Sequence, residues 1–188
     1  MSLENIVSLP EIPDLSGVAD TTSASFDEGW YKGTILEKRE FTDKNGNDRV
    51  FASTDEPSAS GNGRNIRLQV VVTRASDNRT FSVSHLINYQ PEDLTADTVA
   101  AVTAQKDKVK DGEEWGELFR PMMSLTRLSK LQKIAGVRQL QRNGNGGLDL
   151  HSLFGKEGYF RIGPDKRNPQ YTEIKDMRPD RPTKATVY

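Results

Sequence analysis

The chain has 188 residues, 34% of them hydrophobic and 28% charged, with a formal net charge of −1 and no cysteine. That length suits one domain with a single core, and the polar composition predicts flexible segments around it. Disulfides, thiolate zinc sites and cysteine nucleophiles are excluded, and neither a run of roughly 18 apolar residues nor a leader-like start is present, so a cytoplasmic protein without a membrane partner is expected.

Near-neutrality hides an asymmetry. Residues 1–28 hold Glu4, Glu11, Asp14, Asp20, Asp27 and Glu28 without a base, whereas residues 120–142 hold Arg120, Arg127, Lys130, Lys133, Arg138 and Arg142 without an acid. Segregation of this kind makes a local field compatible with a net charge near zero. A solvated helix face plus an acidic tail would give the same pattern.

Residues 1–25 contain two Pro and the polar run DTTSAS, with no period of 2 or 3.6, and are expected to form a flexible acidic arm. The domain is expected over 26–179. Its first strand is predicted from Trp30 to Phe41, with Tyr31 and Ile35 inward and Trp30, Lys32, Thr34, Leu36 and Lys38 outward. Gly29 and Gly33 suggest a bend suited to a barrel strand. From Asp43 to Asn65, the Asn45-Gly46 turn and the Ser/Asp/Gly/Pro-rich remainder predict a long mobile loop.

In the second strand Ile66, Leu68, Val70 and Val72 alternate with Arg67, Gln69, Val71 and Thr73. The third, TFSVSHL, sets Phe81, Val83 and His85 opposite Ser82, Ser84 and Leu86. A helical insertion is expected over about 91–153. Its first helix carries Leu94, Val99, Val102 and Ala104 and stops near Gly112, and its second runs from an N-cap at Ser124 to Gly136. GYFRIG and QYTEIKDM read as the last two strands, and residues 180–188 as a flexible tail. Three strands, a helix and two more strands give a mainly β fold with a helical insertion, in the order of a five-stranded OB-fold barrel.

Catalytic chemistry finds little support. With His85 and His151 as the only imidazoles, the one metal-like pair is Asp149 with His151, and spacing supplies no third ligand. GNGR and RNGNGG lack phosphate-loop spacing. The carboxylate pairs Asp55 with Glu56 and Glu113 with Glu114 lie in polar stretches, where nothing suggests the burial acid catalysis needs. No enzyme activity, cofactor or metal is therefore expected; a nuclease using Asp149 and His151 is one rival reading, and a protein-interaction or structural module is another.

What remains is aromatics interleaved with bases. Trp30, Lys32, Lys38, Arg39, Phe41, Arg49, Phe51, Arg67, Arg74, Arg79, Tyr159 and Arg161 fall on or beside predicted strands, while Tyr31, Phe81 and Phe160 fill the core. Single-stranded nucleic acid is held by such sets, bases stacking on rings while cations track the backbone. The apolar face of the second strand forces Arg67 and Gln69 outward, toward the ligand side of an OB sheet. Trp30 and Phe51 are the expected stacking residues. Lys32, Arg39, Arg49, Arg67, Arg74 and Arg79 are expected phosphate contacts, with Arg127, Lys130 and Lys133 extending the track.

The run GWYKGTILEKREF, the Asn-Gly turn, IRLQVVV, LINY, LTRLSKLQKIAGV, LDLHSLFGKEGYFRI and PQYTEIKDMRP together resemble phage-encoded OB-fold single-stranded DNA-binding proteins. Gly29 and Tyr31, Ala135 with Gly136, Asp149, and Leu153, Gly155 and Lys156 carry that resemblance, which spans about Gly29 to Pro179. It implies a replication or recombination accessory protein that coats single-stranded DNA with little sequence preference in the host cytoplasm. RNA binding, a homodimer and contacts with replication or recombination proteins are compatible with it. Here the acidic segment lies at the N-terminus rather than the C-terminus, and is expected to compete with DNA for the basic groove.

Overall fold

Alternation of apolar and polar residues sets the strands. The computed structural model describes residues 27–43, 45–111, 113–165, 168 and 172–183, so the expected arm over 1–25 and positions 184–188 of the expected tail lie outside the described residues. In chain order the strands are β1 (Gly29–Leu36), β2 (Lys38–Thr42), β3 (Asp48–Ala52), β4 (Thr54–Pro57), β5 (Arg64–Thr73) and β6 (Thr80–Tyr89). Helices α1 (Ala96–Lys110) and α2 (Phe119–Ala135) follow, then β7 (Glu157–Pro164) and β8 (Thr172–Arg178).

All strand pairs are antiparallel. β5 is the hub: β6 pairs along one edge from Arg64 to Thr73, while β1 and β4 share the other, β1 opposite Gln69 to Thr73 and β4 opposite Arg64 to Arg67. β1 pairs in turn with β7, and β7 with β8, with a register shift between Arg161 and Ile162. The hydrogen-bonded path β6-β5-β1-β7-β8 leaves β6 and β8 as its ends; these approach each other, but no ladder joins them among the described residues. The fold is thus mainly β with two helices, its sheet not closed into the expected barrel, and it has eight described strands rather than five.

One face of this curled sheet forms the core. Tyr31, Ile35, Ile66, Leu68, Val70 and Val72 are fully buried there with Phe160 and Ile162, and α2 covers them with Leu128, Leu131 and Ile134. Gly33 lets β1 bend between its neighbours: a Cβ there would sit 2.8 Å from both the Val71 carbonyl and Val72 Cγ1. The second helix stops where expected, at Gly136 in the left-handed region (φ 70°), whose N–H bonds back into the last turn. Its start is earlier than expected: α2 continues from a 3-10 turn at Gly116–Leu118, and Ser124 is a buried mid-helix residue rather than a cap.

Two expectations fail between Trp30 and Asn65. The first strand breaks at Glu37 into β1 and β2, and the supposed mobile loop contains β3 and β4. Polar side chains bond to the backbone in place of buried apolar surface. The Asp43 carboxylate accepts from the Asn45 and Asn47 amides and pairs with Arg49, and Ser53 Oγ donates to the Leu36 carbonyl while accepting from the Gln69 amide. Further along, buried Asp55 accepts from Arg64 Nε (2.8 Å), the Tyr89 hydroxyl (2.5 Å) and the Leu148 amide (2.6 Å). This stitch ties β4, β5, β6 and the segment after α2 together. Burial, and then Asp55, push the Tyr89 hydroxyl well above the usual phenol range.

Candidate nucleic-acid interface

The β2–β3 hairpin leaves the main sheet at Leu36 and returns at Ser53. Its turn is the expected one: the Gly46 amide bonds to the Asp43 carbonyl at 2.9 Å, and Gly46 has φ 79°. Because Arg39 pairs with Phe51 and Phe41 with Arg49, period-2 alternation puts these four side chains on one face. Phe41 and Phe51 stack with centroids 5.4 Å apart, and remain 36% and 40% exposed. The Arg39 guanidinium lies 4.6 Å from the Phe41 centroid and 5.4 Å from that of Phe51. Arg49 Nε donates to Asp43 at 3.0 Å, and the Asn47 amide followed by Arg49 holds that carboxyl below its usual range.

The hairpin's other face, with Lys38, Val50 and Ala52, lines a groove of about 340 Å³ against Asn143, Leu148 and His151. The Arg–Phe face is turned away from that groove. Where β3 lies against β5, Gln69 is 1% exposed although it belongs to the outward set of β5. Ser84 Oγ donates to its Oε1 at 2.9 Å, while Gln69 Nε2 and the buried Nε of Arg39 have no protein acceptor among the described residues. Next along β5, Arg67 is exposed between Thr54 and Leu86, with no ion pair among the described residues.

The other expected contacts scatter. Arg74 binds Asp77 through two nitrogens (3.0 and 2.6 Å) and lies 5.4 Å from the Phe81 centroid, and Arg79 approaches the same carboxylate at 3.4 Å. Arg74 foremost, with the Arg79 amide, lowers Asp77 to about 2. Lys32 pairs with Glu157 at 2.8 Å. On α2, Arg127 is half-buried near His85, whose imidazole is lowered to about 4 by desolvation and then by the Arg127 charge. Lys130 pairs with Asp176, and Lys133 is exposed. These helix bases cover the β6 and β8 side rather than continuing from the hairpin.

Trp30 is a correction. Its side chain does oppose Tyr31, but it is only 7% exposed, because Arg178 at the end of β8 lies 4.9 Å over its ring. It offers no open stacking face. The exposed ring beside Phe51 is instead Phe41, in the interleaved set but not among the expected stackers. Its signal was legible: alternate residues on both sides of an Asn-Gly turn must share a face.

Asp149 and His151 do meet, with Oδ1 and Nδ1 2.6 Å apart, and that contact raises the exposed imidazole's pKa. Among the described residues no third His, Cys, Asp or Glu joins them in a metal-holding group, and no helix is long and apolar enough to cross a membrane. Comparison with protein families, curated proteins and solved structures finds no match for this chain.

Proposed function

We propose that this protein is an OB-type single-stranded DNA-binding protein whose first contact is the Arg39, Phe41, Arg49 and Phe51 face of the β2–β3 hairpin, continued by Arg67 on β5. The observation that carries this reading is the pair of half-exposed, stacked rings with the Arg39 guanidinium lying over both. Such a set offers π-faces to any base and charge to the backbone, without reading sequence. The OB assignment is supported by the strand path β6-β5-β1-β7-β8 and by a helix between β6 and β7. On this reading the chain coats DNA during phage replication or recombination in the bacterial cytoplasm.

The test is titration of a labelled oligo-dT at two salt concentrations. Two phosphate contacts, by Arg39 and Arg67, give a slope near −1.4 in log–log form, so affinity should fall roughly 7-fold between about 50 and 200 mM salt. Absence of binding at the lower salt, or an affinity indifferent to salt, overturns the proposal.

A further inference from the structure

A second surface lies apart from the hairpin. Helix α1 has fifteen residues and none of them is buried, although a helix in a globular protein gains most of its stability from packing one face. Between it and α2 runs a groove of about 1070 Å³, beyond the span of about 300–1,000 Å³ usual for small-molecule pockets. Val99, Val102, Leu125 and Leu128 give it apolar walls, and Val99 is 47% exposed. Lys106, Lys130, Lys133 and Arg142 also line it, and its lining includes no Asp or Glu among the described residues. The occupant it suits is an extended segment that is apolar and acidic together.

The chain supplies such a segment. Residues 3–15 carry Leu3, Ile6, Val7, Leu9, Ile12 and Leu15 with Glu4, Glu11 and Asp14, and no base. Reach is sufficient: residues 16–26 link the segment to Asp27, and at about 3.3 Å each these eleven residues span roughly 36 Å, against a radius of gyration of roughly 15 Å for a domain of this size. We propose that residues 3–15 seat in the α1–α2 groove of their own chain, covering Val99 and Val102 and pairing with Lys106, Lys133 and Arg142. This seat lies away from the hairpin, so Lys133 answers to the segment rather than to a nucleic acid.

The absence of native cysteine makes disulfide trapping in the full chain a direct test. Ser8→Cys is combined either with Thr103→Cys, in the groove, or with Ser82→Cys, exposed on the outer side of β6. The groove pair should close within one chain at least about tenfold faster, since a docked segment exceeds the roughly millimolar effective concentration of a free tether. Lys106→Glu, Lys133→Glu and Arg142→Glu together should bring it down to the control rate. Raising salt to about 1 M, where the Debye length is about 3 Å, should slow it without any substitution. Equal rates for the two pairs, faster closure at Ser82, or disulfides formed mainly between two chains would each overturn the proposal.

Discussion

Replacing Phe51 by Ala isolates the hairpin's contribution to binding. Phe51 has Phe41 stacked at 5.4 Å and the Arg39 guanidinium 5.4 Å from its centroid, and the 40% of the residue still exposed is the surface it can offer a base. Base–aromatic stacking is worth about 1–3 kcal/mol by alanine substitution, which corresponds to a loss of about 5- to 150-fold in affinity. The same change should cost the fold no more than about 1 kcal/mol, since the ring is not part of the core cluster and is 40% exposed. Phe41→Ala should behave alike, and the double variant should lose less than the sum, because each single change already breaks the shared stack. Fluorescence anisotropy with oligo-dT at fixed salt reads the affinity, and urea unfolding reads the stability. A Phe51→Ala protein that binds within about twofold of the parent, under the roughly 5-fold floor set by 1 kcal/mol, would refute the stacking argument.

Arg67→Ala should reduce the salt slope of oligonucleotide binding by about 0.7, one phosphate contact on a single strand, whereas Lys32→Ala should barely change it because Lys32 is held by Glu157. Asp55→Ala leaves Arg64, the Tyr89 hydroxyl and the Leu148 amide without their buried acceptor, so urea unfolding should show a loss of about 3–5 kcal/mol. Gly33→Ala forces a methyl to 2.8 Å from the Val71 carbonyl and should cost about 1–3 kcal/mol in the same assay. His85 has a folded pKa of about 4, below its ordinary value of 6.5, so its contribution is fully present above 6.5 and is lost as pH falls toward 4. Thermal unfolding should therefore weaken across that window, by up to about 3 kcal/mol, and His85→Leu should flatten the trend. Asp77, lowered to about 2, loses its contribution only below its ordinary carboxylate range, so the two effects separate on the pH axis.

The parts of the fold that could be read from sequence are those in which one local pattern decides the outcome. IRLQVVVT allows only one apolar face, so Ile66, Leu68, Val70 and Val72 go inward, and Gly136 ends a helix because few other residues accept its φ of 70°. Trp30 was not legible in this way. Parity puts it opposite Tyr31, but its cover comes from Arg178, 148 positions along the chain. β3 and β4 were hidden for a different reason: their stretch is rich in Ser, Asp and Gly, and its order rests on side chain-to-backbone bonds from Asp43 and Ser53. Composition counts such residues as loop formers, whichever partner they find. The candidate site was half legible. Arg39, Arg49 and Phe51 come together as expected, while the helix bases belong to another side of the molecule.

The ion pairs bear on how, under the proposed function, a chain of net charge −1 would hold a polyanion. Lys32 is matched by Glu157, Arg49 by Asp43, Arg74 and Arg79 jointly by Asp77, and Lys130 by Asp176. A phosphate arriving at any of these must displace a carboxylate, and the gain is only the difference between two similar interactions in water. Arg39 and Arg67 differ, because neither has an acidic partner among the described residues, and Arg39 lies over aromatic faces that leave its charge available. Charge therefore concentrates where the rings are, not along the whole sheet. Under the proposed function, a DNA strand held mainly by Phe41, Phe51, Arg39 and Arg67 would release few counterions, so its affinity should depend more on stacking and less on salt than the count of 26 basic residues suggests.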